Sequence, residues 1–169
     1  MAPTQKPEEP QIGRTRVNEE AEAMVVPLRV LEERRVDDEV PELDVETLEV
    51  VRTYNAGHYL EAHELFELIW MRQGGAQKIF YQGLVHVAMG FHYFVAGDYD
   101  RASAKLQRAA ELLDDFAVDF LGIDVWTLRG SVALCRNRLA ELGASGITRF
   151  DRTLIPRLTL LPHAAQEAR

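Results

Sequence analysis

Within one short stretch, Glu61, His63, Glu64 and Glu67 combine imidazole and carboxylate groups at spacings that a helix turns into proximity. At about 100° per residue, His63, Glu64 and Glu67 occupy one sector roughly a quarter-turn wide, so their side chains can converge on a point. A later stretch adds Gln82 and His86, stacked at i and i+4, and His92 on a neighbouring line with Val85 and Met89. Two readings suit this set. In one, His63, Glu64, Glu67, Gln82 and His92 form a buried polar network that ties two helices in register, because an unpaired buried polar group costs about 1–3 kcal/mol. In the other, His63 and His92 join Glu64 or Glu67 as ligands of a divalent ion, zinc, manganese or iron, in a metal-dependent hydrolase. The spacing specifies neither, since H-E-x-x-H, a pair of E-x-x-H motifs and a cysteine ligand pair are all absent.

Other chemistries find less support. The glycines form no Gly-x-Gly-x-x-Gly or Walker loop, and none of Ser103, Ser131 and Ser145 sits in a Gly-x-Ser-x-Gly elbow. The single cysteine, Cys135, cannot form an intramolecular disulfide. Its neighbours Val132, Leu134 and Leu139 point to a packed thiol, while Arg136 and Arg138 keep a reactive one open. A net charge of −8 argues against nucleic acid and anionic membrane as partners. No apolar stretch is long enough to cross a bilayer, and the Pro- and Glu-rich start does not resemble a secretory leader, which leads us to expect a cytoplasmic protein.

The elements that must position these residues are helical. Hydrophobic residues make up 47% and charged residues 27% of the 169, the balance of a globular domain. Residues 1–40 read as an acidic, Pro-containing, partly disordered extension, within which 24–36 alternates as a short strand, or a segment draped on the helical body, would. From Pro41 the apolar spacing becomes helical. A first helix stops at Asn55-Ala56-Gly57, a second runs over 58–72, and a third, over 76–96, is apolar all round and therefore central. Asp98 caps a fourth that reaches about Val118, and Asp124 caps a fifth that ends before Gly143. The bundle domain then spans 41–142, and 143–169 reads as an irregular strap. Trp70, Trp126 and the apolar tail offer a surface for a homodimer.

Asn55-Ala56-Gly57-His58-Tyr59-Leu60-Glu61-Ala62 recurs as Val95-Ala96-Gly97-Asp98-Tyr99-Asp100-Arg101-Ala102, with Gly, Tyr and Ala in register. A Gly that ends a helix, an aromatic staple and a small residue at a close approach together describe a repeated helical hairpin. We therefore expect an all-α, compact bundle of about five helices with two tetratricopeptide-like hairpins.

The stretch from Tyr54 to Glu64, with Glu67 and Trp70, resembles the domain-of-unknown-function family 309 (DUF309) of small bacterial and archaeal helical proteins. So do Phe80-Tyr81-Gln82-Gly83-Leu84 with Ala88, His92 and Gly97, and Gly122-Ile123-Asp124-Val125. The resemblance covers roughly 43–142. It implies a helical bundle whose polar signature falls on Glu61, His63, Glu64, Glu67, Gln82 and His92. Some members are labelled metal-dependent hydrolases on the strength of such residues. It also implies Gln or an apolar residue at position 86, which sets His86 apart from the ligands. The leading expectation is a noncatalytic module that binds a protein or peptide, with a metal-dependent hydrolase as the alternative.

Overall fold

The computed structural model describes residues 44–161. The extension over 1–40, with its 24–36 segment, and the last eight residues, 162–169, lie outside the described residues. Five α-helices follow one another: α1 Val45–Asn55, α2 Tyr59–Arg72, α3 Gly75–Val95, α4 Tyr99–Leu113 and α5 Val125–Gly146. The most extensive packing is between helices adjacent in the chain, and α3, flanked by α2 and α4, is the centre of the core.

Local chemistry explains where the helices begin. Asp44 accepts a hydrogen bond from the Thr47 amide at 2.6 Å, Asp98 from Arg101 at 3.1 Å and Asp124 from Thr127 at 2.9 Å, each satisfying an amide that has no partner in the first turn. α3 has no polar cap. Its stability comes from burial of Phe80, Tyr81, Leu84, Val87, Phe91 and Phe94, as expected of a helix apolar on nearly every face. Thr47, fully buried, shares a hydrogen bond with the Tyr81 hydroxyl at 2.8 Å and ties α1 to α3.

The fourth helix is shorter than its periodicity predicts, ending at Leu113 rather than near Val118. Phe116 turns inward instead, its ring 5.3 Å from Phe80 and 4.7 Å from Phe120, and this aromatic cluster draws the chain out of the helix. A two-residue hairpin follows, β1 Asp119–Phe120 and β2 Ile123–Asp124, antiparallel. Both turn residues, Leu121 and Gly122, have positive φ, the signature of a turn whose twist matches the strands. Leu121 incurs a cost of about 1 kcal/mol in that conformation. Burial of its side chain offsets it.

α5 continues past the expected stop at Gly143, where φ is 63° and the helix kinks, and two 3-10 turns follow, Ile147–Arg149 and Arg152–Leu154. The chain then runs back to the hairpin and to the end of α1. Asp124 donates to the Thr159 carbonyl and Leu161 to the Gly122 carbonyl, both at 2.9 Å. The Asn55 side chain both donates to and accepts from the Leu158 backbone at 2.8 Å. Arg157 donates to the Asn55 carbonyl at 3.1 Å and Arg152 to the Val95 carbonyl at 3.5 Å. Asn55 and Val95 are equivalent positions of the sequence repeat, so one segment supplies cations to the negative ends of α1 and α3.

α3 and α4 approach most closely at two glycines of α3. A Cβ on Gly83 would stand 2.6 Å from Leu113 Cδ2, and one on Gly90 2.6 Å from Leu106 Cδ2 and 3.3 Å from the Leu106 amide. Both leucines are fully buried and have no room to retreat. Gly130 of α5, by contrast, has nothing within 4 Å of such an atom. We expect Gly90→Ala to lower the unfolding free energy by about 1–3 kcal/mol through overpacking. Gly130→Ala should raise it by about 0.5–1 kcal/mol through helix propensity. Urea denaturation of the two variants beside the native protein checks both signs.

Candidate functional site

The two copies of the repeat fold into the same turn. Gly57 and Gly97 have φ of 87° and 81°. His58 donates its amide to the Thr53 carbonyl and Asp98 to that of Tyr93, the long-range bond of a helix closed by a left-handed residue. Ala62 and Ala102, one turn into the next helix, are fully buried. The turns differ at one position. Asp98 caps α4 with its side chain, whereas His58, at the same place before α2, makes no cap hydrogen bond.

His58 opens a shallow groove of about 390 Å³ between the start of α2 and the end of α3, lined by Gly57, Tyr59, Leu60, Glu61, Glu64, His92 and Val95 as well. Three of the six residues singled out from the sequence, Glu61, Glu64 and His92, therefore share one depression, joined by a histidine that the sequence reading did not single out. His58 Nδ1 lies 3.7 Å from Glu61 Oε2. Its signal was present in the repeat, which places a histidine where the second copy has a good capping residue.

His63 and Glu67 lie elsewhere on α2, with Nε2 and Oε2 3.9 Å apart, the histidine 16% and the glutamate 47% exposed. Gln82 and His86, one turn apart on α3, are both half-buried, and His86 feels the charge of His63. Nearer the α2–α3 turn, the Lys78 ammonium stands 5.4 Å from the Trp70 ring centroid. The Nδ1 atoms of His63 and His86 and the indole Nε1 of Trp70 are buried without a hydrogen-bond partner among the described residues. Among the described residues, no three His, Cys, Asp or Glu side chains are grouped as a metal centre requires. Of the four residues read as ligands, His63 and Glu67 form one pair on α2, while Glu64 and His92 line the groove at the first repeat turn.

The surroundings of His86 act against its charged form. Burial first, then the positive charges of Lys105 and Arg108 on α4, and His63 across the seam, lower its pKa to about 4. Cys135, read as either packed or reactive, is buried. Its thiol donates to the Leu154 carbonyl at 3.2 Å, and burial pushes its pKa up to about 12, far from a nucleophile's range.

A second groove, of about 420 Å³, lies between α4 and α5. Ala110, Leu113, Val132, Gly130 and Ala133 form its apolar lining, with Asp114, Arg129, Arg136 and Trp126 around them. Trp126 is 68% exposed, and its amide donates to the carbonyl of Val118, another exposed apolar residue.

These elements define an all-helical bundle with a small polar groove at the first of its two equivalent turns and an apolar groove between α4 and α5. Residues 47–104 match the family described as Domain of unknown function (DUF309), the family that the motifs resemble. The match takes in Glu61, His63, Glu64, Glu67, Gln82 and His92, and the Gly122–Val125 piece of the resemblance lies beyond it. No curated protein matches the chain. Among the described residues, no helix is long and apolar enough to cross a membrane.

Two outcomes follow. A histidine whose folded pKa is depressed is protonated more readily in the unfolded chain, so stability is fully present above about pH 6.5, falls with pH towards 4, and loses no more on this account below that. His86→Gln should flatten the dependence in that window when urea midpoints are compared across pH. His58→Asp should raise the unfolding free energy by about 0.5–1 kcal/mol by restoring the missing cap, as read by thermal and urea melts.

Proposed function

We propose that the protein is a noncatalytic, cytoplasmic helical-repeat module that binds a protein or peptide partner, its paired hairpins being of the tetratricopeptide kind. The observation that carries this reading is the α4–α5 groove: a floor of small residues, Ala110, Gly130 and Ala133, beside a tryptophan that is 68% exposed. Aromatic anchors beside an apolar concavity are the usual source of binding energy at interfaces, and a single domain gains nothing by leaving an indole in water. The groove lies outside the matched family segment.

The hydrolase alternative has less behind it. Glu64 and His92 share one groove with His58 and Glu61 while His63 and Glu67 pair elsewhere on α2, and among the described residues no three such side chains are grouped closely enough to hold an ion.

Panning a displayed library of short peptides against the full chain, with Trp126→Ala as counter-target, tests the reading. We expect enriched peptides whose affinity drops about tenfold on the Trp126→Ala protein. Enrichment that ignores this substitution would refute it. Elemental analysis of untagged protein beside His63→Ala and His92→Ala provides the other check. We expect no stoichiometric metal; near-stoichiometric metal lost from correctly folded variants would replace this reading with the hydrolase.

A further inference from the structure

The walls of the α4–α5 groove are charged in the opposite sense to the chain as a whole. Arg129 and Arg136 line it against the single Asp114, while Arg138 is paired with Glu141 outside the lining, in a protein of net charge −8. Arg129 is already committed, its guanidinium paired with Asp114 and donating to the Phe116 carbonyl at 2.9 Å. Arg136 donates to the amide oxygen of Gln107, and the carboxylate in its field, Glu111, is already paired with Arg108, so these three side chains together carry one surplus positive charge. Between these cations the floor is recessed because Ala110, Gly130 and Ala133 lack bulk, and Trp126 adds an aromatic wall. From Trp126 to Arg136 the lining of α5 runs about 15 Å at the helical rise, or some three turns.

We propose that this groove receives an acidic amphipathic helix from a partner protein. An aliphatic side chain of that helix rests on the Gly130/Ala133 floor against Trp126, and carboxylates beside it reach Arg136 and the outer face of Arg129. The proposal rests on the partner-binding reading above and adds the partner's charge and shape. A basic or neutral helix would desolvate the Arg136 guanidinium without supplying a counter-charge, which is costly, whereas an acidic one is steered in and paired. A second copy of this chain is the competing occupant. α2 carries Glu61, Glu64 and Glu67 among the exposed Leu60, Leu68 and Met71, and so has a similar character.

The test uses the full chain and three fluorescein-labelled peptides of about 15 residues, long enough to form a helix on binding. Each has the same leucines on one face, with Glu, Gln or Lys on the other. Fluorescence anisotropy should show the Glu peptide binding about tenfold or more tighter than the Lys peptide, and weakening as salt is raised. Trp126→Ala and Arg136→Glu, checked for unchanged far-UV circular dichroism, should each weaken it about tenfold, and Arg136→Glu should turn the preference towards the Lys peptide. Equal binding of all three peptides, still dependent on Trp126, would overturn the acidic partner while sparing the groove. No binding by any would overturn both. Sedimentation equilibrium of the chain alone decides the remaining case. Association abolished by Arg136→Glu and restored by adding Glu64→Arg would assign the groove to a second copy and overturn the separate partner; a monomer across the concentration range supports it.

Discussion

The close approach of α3 and α4 governs the architecture. Gly83 and Gly90 are two turns apart on α3, and Leu113 and Leu106 are equally spaced on α4, so each leucine is seated in a notch left by a missing Cβ. This sets the two helices antiparallel and in one register. Because α3 is also the surface on which α2 lies, its position fixes where His92 meets Glu61 and Glu64 on one side and where Lys105 and Arg108 face His86 on the other. Glycine weakens an isolated helix by about 1 kcal/mol. Here that cost is exchanged for buried leucine and aromatic surface on a helix that needs tertiary packing in any case.

The ends of the helices depend on a second constraint, the left-handed glycine. Gly57 and Gly97 close α1 and α3 in the same way, and in both cases an arginine from the returning C-terminal segment reaches the last carbonyls, Arg157 at Asn55 and Arg152 at Val95. The returning segment thus makes one kind of contact twice, once for each repeat. Its attachment through the Asn55 amide, with both the donor and the acceptor used, means that the repeat turn is also where the end of the fold is secured.

Much of this was legible in the residues. Caps at Asp98 and Asp124 and stops at Gly57 and Gly97 are local signals, and local signals placed the helices to within a few residues. The fourth helix was read too long because its end is not local. Phe116 leaves the helix to meet Phe80 and Phe120, and no spacing within 99–118 records where Phe80 will stand. The site suffered the same limit. His63, Glu64 and Glu67 do share a sector of α2, but how a sector is divided depends on the neighbouring helix. The edge nearer the core receives His63, with its buried Nδ1, and the outer edge leaves Glu64 in the groove with His92. The α4–α5 groove was less visible still, since Trp126, Gly130 and Ala133 lie on one stripe of α5 but become a depression only beside Ala110.

Departures from the fold's own stabilising rules are more informative than the rules themselves. A chain that caps α1, α4 and α5 with aspartate leaves α2 with His58. A chain that buries Tyr54, Phe66 and Phe80 nearly completely leaves Trp126 in solvent. Neither departure is forced by packing, since nothing crowds the Gly57 turn and the indole lies over an open groove. The buried, unpartnered imidazole nitrogens of His63 and His86 differ in kind. They lie along the seam beside α3, where His86 faces His63 and the cations Lys105 and Arg108 of α4. Local rules of capping, burial and polar pairing are thus broken at three places, the His58 turn, Trp126 and the histidine seam, and kept through most of the rest of the described fold.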